Sequence, residues 1–230
     1  MLPRYLDPYQ PKPEPALSFG NARSSAVRWA QSIRWLDILA GRVARRNGYV
    51  GRLKAAVYAD VVGYSRLFHL DDAGTVARLR SMRRLIEPAI RCLHGDLVQT
   101  AGDSLLITFD SIMEAVKCAV TIQYEVAKEN DGWPDDRGMW LRVGVDVGDV
   151  ITDGRDFHGD GVIIAVRLQA VCPPGGVCIS RAVHDHGADR LGLPFEALGA
   201  LTLKNIAHPV EAFVLRSPHD ERTGTLRLVG

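Results

Sequence analysis

The 230 residues carry 28 Lys and Arg against 27 Asp and Glu, for a formal net charge of +1, and are 47% hydrophobic and 24% charged. That length suits one domain with a full core and room for an appendage, and the near-neutral balance excludes a long-range pull toward nucleic acid or an anionic membrane. No run reaches 18 apolar residues and the first residues hold no apolar signal core, so neither a membrane span nor a leader is expected and a cytoplasmic location follows.

Residues 1–22 hold Pro3, Pro8, Pro11, Pro13 and Pro15 among few large aliphatics and read as a flexible, extended segment. Within 23–50, Trp29, Ile33, Leu36, Ala40 and Val43 recur at steps of four and three. This predicts a helix over 26–46, capped by Ser24 or Ser25 and ended by Asn47-Gly48. With Arg28, Arg34, Arg42, Arg45 and Arg46 among its apolar residues, it suits docking on its own domain, on a second subunit as a dimer or regulatory element, or on a membrane surface.

From residue 51 the pattern tightens. A strand is expected over 53–61, a turn at Val62-Gly63-Tyr64 and a helix start at Ser65. Asp71-Asp72 opens a long helix to about Leu93, with Leu79, Met82, Leu85, Ile86, Ala89 and Ile90 inward and Pro88 expected to kink or divide it. Strands 96–99 and 104–109 form a hairpin around Ala101-Gly102-Asp103, and Ser111 caps a helix over 112–129 with Glu114 completing a capping box. A strand at 140–147, a Gly/Asp-rich crossover at 148–161, a helix at 162–171 and a strand at 176–180 follow. A short helix at 181–190 and strands near 195–203 and 210–215 complete the domain, leaving 217–230 as a polar tail. Strands alternating with helices imply an α/β layer with a mixed sheet. Cys92, Cys118, Cys172 and Cys178 lack C-x-x-C spacing and read as buried thiols in a reducing compartment.

Two stretches carry the chemistry. Residues 54–65 (K-A-A-V-Y-A-D-V-V-G-Y-S) and 98–109 (V-Q-T-A-G-D-S-L-L-I-T-F) are apolar runs, each with one carboxylate near a glycine: Asp60 with Gly63, and Asp103 with Gly102. An ionised carboxylate within a buried strand is costly unless a cation or donor set compensates it. Two readings stand. The pair converges on a hard divalent ion, for which oxygen ligands select Mg²⁺ or Mn²⁺, or each Asp merely serves Asp-Gly turn chemistry. His184-Asp185-His186 reads either as a chelating trio or as a solvated helix end. No Walker loop, G-x-G-x-x-G or G-x-S-x-G elbow is present.

In order along 52–216 stand A-D-V-V-G-Y-S, T-A-G-D-S-L-L-I-T-F, L-R-V-G-V-D-V-G-D-V, H-G-D-G-V-I-I-A-V-R-L and L-K-N-I-A-H-P-V. With these the chain resembles the class III adenylyl/guanylyl cyclase catalytic domain, above all its short bacterial type. The resemblance implies a ferredoxin-like α+β fold, a mixed sheet flanked by helices over 51–216, working as a head-to-tail homodimer with ATP or GTP across the seam. It implies two Mg²⁺ or Mn²⁺ ions per site, held by Asp60, Asp103 and the Val61 carbonyl. It places Gly63 and Tyr64 in the turn before a helix start whose amides suit a triphosphate. It assigns Asp156 and Gln99 to the purine edge, Arg167 to the charge developing on phosphate, and Lys204 as the nearest match to a triphosphate-contacting lysine.

Three positions depart from that pattern. Gln99 stands where adenylyl cyclases usually carry lysine and guanylyl cyclases glutamate, and with Asp156 it favours ATP over GTP. Ile163 replaces the usual ribose-orienting asparagine one turn before Arg167, and Ser104 replaces a glycine after the second aspartate. A donor missing at 163 typically removes ~10²–10³ in rate. The expectation is a slow adenylate cyclase making cyclic AMP and diphosphate; the alternative is a degenerate homologue that binds nucleotide or a partner domain without turnover.

Overall fold

The computed structural model describes residues 44–46, 49–134, 136–153 and 156–217. The Pro-rich segment, nearly all of the helix expected over 26–46 and the tail from 218 lie outside the described residues. The last three residues of that expected helix correct it: Ala44–Arg46 form a strand, β1, with Arg46 opposite Tyr49 and Ala44 opposite Gly51. The intervening Asn47-Gly48 is a strong hairpin signal as well as a helix stop.

The core runs β2 (Tyr49–Val61), α1 (Tyr64–Leu70), α2 (Asp72–Cys92), β3 (Asp96–Ala101), β4 (Ser104–Phe109), α3 (Ile112–Glu129) and β5 (Leu141–Asp153). Its strands lie in the order β3-β4-β2-β5, each antiparallel to its neighbour. With the helices between them this is the ferredoxin-like β-α-β-β-α-β unit. β6 (Asp156–His158) folds back on the end of β5. Then α4 (Asp160–Val171) crosses over to β7 (Val177–Ser180), the one strand parallel to β5, and β9 (Val210–Leu215) and β8 (Glu196–Leu201) complete the mixed sheet.

The alternation along β2 sorts the two faces. Ala55, Val57, Ala59 and Val61 are buried in the main core with Leu79, Met82 and Ile86 of α2 and Val116, Ala119 and Ile122 of α3. Ala56 packs instead with Leu106 of β4 and Val162 and Ala165 of α4, and Tyr58 borders that cluster. Period 2 therefore sends Asp60 to the α4 side of the sheet. α4 lies close to β5 because Gly144 has no side chain; a methyl there would collide with the Ala165 carbonyl and the Gln169 amide.

Several expectations change. α2 runs unbroken through Pro88. Ser111 Oγ accepts from the Glu114 amide, but the Glu114 carboxylate meets His94 Nδ1 at 3.0 Å, so half of the capping box forms. Most of the expected crossover is strand, because β5 continues to Asp153 and β6 pairs with it. Helix 181–190 is a single α turn, α5 (Arg181–Val183), followed by a π turn and a 3₁₀ turn. Cys118, Cys172 and Cys178 are buried, whereas Cys92 is exposed.

Asp146 of β5 is buried, at 4% exposure, and accepts a 2.5 Å hydrogen bond from Ser180 Oγ. Burial pushes its carboxyl up to about 6, against the lowering effect of the Ser180 bond. Because the folded-state value lies above the ordinary one, the native state takes up a proton as pH falls from about 6 toward 4, and stability falls again as pH rises through that window. The shift, from 3.8 to about 6, corresponds to roughly 3 kcal/mol. Asp146→Asn still accepts from Ser180, and at pH 8 it is expected to raise Tm by several degrees, at ~2–4 °C per kcal/mol. Thermal melts at pH 8 and pH 4.5 check this: the gain should shrink at the lower pH.

Candidate functional site

Two strand ends build the site. Ala59 of β2 pairs with Leu105 of β4, and Ala101 of β3 pairs with Ser104, which leaves Gly102-Asp103 as a two-residue turn at the same end of the sheet as Asp60. Gly102 has φ +61°, a left-handed conformation that glycine adopts without strain, and no atom lies within 4 Å of where its Cβ would be. Gly63, in the turn after β2, has φ +62°; Tyr64 then opens α1, its ring 6.1 Å from that of Phe68.

The Asp60 and Asp103 carboxylates lie near enough to one another for each charge to act on the other. Burial, then the charge of Asp103 and the bond with it, push the Asp60 carboxyl up to about 6, while the Val61 amide and the Arg142 guanidinium oppose the rise. Arg142 is Asp60's cross-strand partner on β5. Among the described residues neither carboxylate is engaged in a salt bridge. Two neighbouring half-buried acids, with Arg142 offsetting their charge only in part and no salt bridge to either, form an arrangement that a divalent ion relieves. The two carboxylates are donors of the kind that suits hard Mg²⁺ or Mn²⁺, and Val61, the next residue after Asp60, ends β2.

The remaining sequence-derived residues lie on α4, β3, β6 and the β8–β9 loop. Ile163 and Arg167 share one face of α4, four residues apart; Ile163 is 46% exposed and Arg167 half-buried. The Arg167 Nε is buried with no hydrogen-bond partner, as are Arg142 Nε and Thr108 Oγ1. Unpartnered buried polar atoms are rare enough in native folds to call for an explanation. Gln99 lies in β3 just past an irregularity at Leu97/Gln99, and the Asp156 backbone opens β6 opposite Asp153. Lys204 is exposed in the loop between β8 and β9. Among the described residues neither Arg167 nor Lys204 forms a salt bridge with the Asp60–Asp103 pair.

His184-Asp185-His186 is not a chelating trio. His184 stacks on Phe213 at 3.9 Å, Asp185 Oδ2 lies 3.7 Å from Arg181, and His186 Nδ1 meets the Ala182 carbonyl at 2.8 Å. Among the described residues no group of three or more His, Cys, Asp or Glu could hold a metal ion. Two residues escaped the sequence reading. Arg142 carried no signal until strand pairing set it across from Asp60. Arg83, on α2, donates from Nη2 to the Gly102 carbonyl and so reaches the turn that bears Asp103.

Residues 54–217 match the family model of the adenylate and guanylate cyclase catalytic domain. The chain belongs to that family. A putative adenylate cyclase of Rhizobium meliloti is 38% identical over 170 residues, 74% of this chain and 29% of that protein. An adenylate cyclase of Streptomyces coelicolor is 29% identical over 153 residues, 65% of this chain and 39% of its own length. The chain thus spans well under half of these relatives. A solved adenylate/guanylate cyclase/hydrolase from Silicibacter pomeroyi superposes with TM-score 0.66 at 36% identity, covering 71% of this chain and 96% of that one. In cyclase terms, the matched region holds the acidic pair, the α4 face and the β8–β9 loop together, and no helix among the described residues is long and apolar enough to cross a membrane.

Proposed function

We propose that the chain is a metal-dependent purine nucleotidyl cyclase, converting ATP to 3′,5′-cyclic AMP and diphosphate at a site shared by two copies arranged head to tail. The closeness of the Asp60 and Asp103 carboxylates carries this reading. Divalent metal dependence is general in the family, and two Mg²⁺ or Mn²⁺ ions would supply Lewis acidity at the ribose 3′-hydroxyl and neutralise the phosphates.

Within this scheme Asp60, Asp103 and the Val61 carbonyl would hold the ions. The turn at Gly63 and Tyr64 carries backbone amides toward the phosphates. The 3′-oxygen attacks the α-phosphorus as the bond from that phosphorus to the diphosphate oxygen breaks, and the hydroxyl proton passes to solvent water. The second copy supplies Arg167 against the charge that develops, which gives its unpartnered Nε a role. Asp156 and Gln99 read the purine: a carboxylate accepts from adenine's 6-amino group and repels guanine O6. Lys204 is left as a triphosphate contact. The reading implies a cytoplasmic location, where the nucleotide is made. The test is turnover of ATP and GTP side by side with Mn²⁺, scored for the cyclic product.

A second reading, nucleotide or partner binding without turnover, is favoured by Ile163, an exposed apolar side chain one turn from Arg167. Ile163→Asn separates the two. If the chain turns over slowly for want of this donor, kcat rises roughly tenfold, a part of the ~10²–10³ that one well-placed donor supplies. A measurable kcat that is unchanged or lower removes Ile163 from the ribose, and no turnover in either protein favours the binding reading.

A further inference from the structure

We propose that Arg83 is a positioning residue of the acidic pair: by donating to the Gly102 carbonyl it holds the β3–β4 turn where Asp103 meets Asp60. This rests on the reading of that pair as a metal site.

The pairing of Ala101 with Ser104 closes the turn from within the hairpin. Gly102 faces open space, and its left-handed backbone presents its carbonyl toward α2, where Arg83 Nη2 takes it. Arg83 follows Met82, which is buried in the main core with Ile86. The guanidinium is therefore anchored by a helix packed on the sheet, and the turn is tied to that helix rather than left to the hairpin alone. The choice of acceptor matters. An arginine that paired with the Asp103 carboxylate itself would compete with any cation for it. Here it spends a charged donor on a backbone oxygen, and no salt bridge joins it to Asp103 among the described residues. The carboxylate stays available while its backbone is restrained. Arg83 Nε is buried without a hydrogen-bond partner, so the side chain accepts an unsatisfied donor to reach the turn. Groups that orient metal ligands behave in this way.

The alternative is a fold-stabilising bridge from helix to turn. Mn²⁺ affinity separates them. The full chain is titrated with Mn²⁺ at saturating α,β-methylene-ATP, a non-cleavable ATP analogue, and free Mn²⁺ is read by electron paramagnetic resonance; Tm is measured alongside. Arg83→Met keeps the aliphatic stem and removes the donors, and is expected to weaken Mn²⁺ binding about tenfold to a hundredfold. Arg83→Lys, with one charged donor, recovers part of that loss although its Tm need not differ from that of Arg83→Met. Asp103→Asn gives the baseline for a lost ligand. Arg83→Met that binds Mn²⁺ as wild type does, while Asp103→Asn does not, overturns the proposal and leaves the metal reading intact. Lysine no better than methionine overturns it too. Wild type binding no more Mn²⁺ than Asp103→Asn sinks the metal reading and this proposal with it. Should Arg83→Met fail to fold, Arg83→Leu, which also lacks a donor, is read by the same criteria.

Discussion

Asp103→Ala is expected to abolish formation of cyclic AMP from Mn²⁺–ATP while the protein still folds. The loss should be ~10³-fold or more, beyond the ~10²–10³ of a single transition-state donor, because the substitution removes an ion ligand and with it the polarisation of the attacking oxygen. Folding should survive because Asp103 sits in a turn whose neighbour faces open space. Removing it also relieves Asp60, whose carboxyl is held at about 6 by burial and by the charge and hydrogen bond of Asp103. The metal-free variant should therefore melt no lower than wild type. Product assays and a thermal melt on one preparation settle the matter: full activity in Asp103→Ala would end the metal-site reading, and loss of the melt would leave Asp103→Asn as the variant to assay.

The second large effect is a rescue. Asp60→Ala and Arg167→Ala are each expected to be inactive, and an equimolar mixture allowed to exchange subunits should regain about a quarter of wild-type activity, since half of the dimers are mixed and each has one intact site of two. The premise is that α4 of one copy faces the acidic pair of the other. Within a single chain no bond joins Arg167 to that pair, and the Arg167 Nε has no partner. Mixed dimers demonstrated by a tag pull-down but still inactive would mean that the two residues serve the same copy, and the shared site would be withdrawn.

Much of this was legible in the chain. Apolar runs bounded by glycine and aspartate gave β2 and β4 within a few residues, and Ser111 and Asp71 marked helix starts that the structure keeps, each accepting a backbone amide. Asp60 and Asp103 stood out because a carboxylate in an apolar run needs a reason. Where local signals failed, they were ambiguous in themselves. Asn47-Gly48 ends helices and turns hairpins alike. Pro88 breaks helices in general, yet on the exposed side of a helix anchored by Met82, Ile86 and Ile90 the lost hydrogen bond is outweighed by packing.

By itself the sequence determined the strand periods, the caps and the identity of the two acids, since these depend on neighbours a few residues away. Which groups touch was a matter for the tertiary structure. Only the antiparallel pairing of β2 with β4 and β5 puts Asp60 against Asp103 and across from Arg142, and only the packing of α2 brings Arg83 to Gly102. The physical reason is range: a backbone hydrogen bond or a side-chain period is written in adjacent residues, whereas the burial and repulsion that push the Asp60 carboxyl up to about 6 come from side chains forty or more positions away.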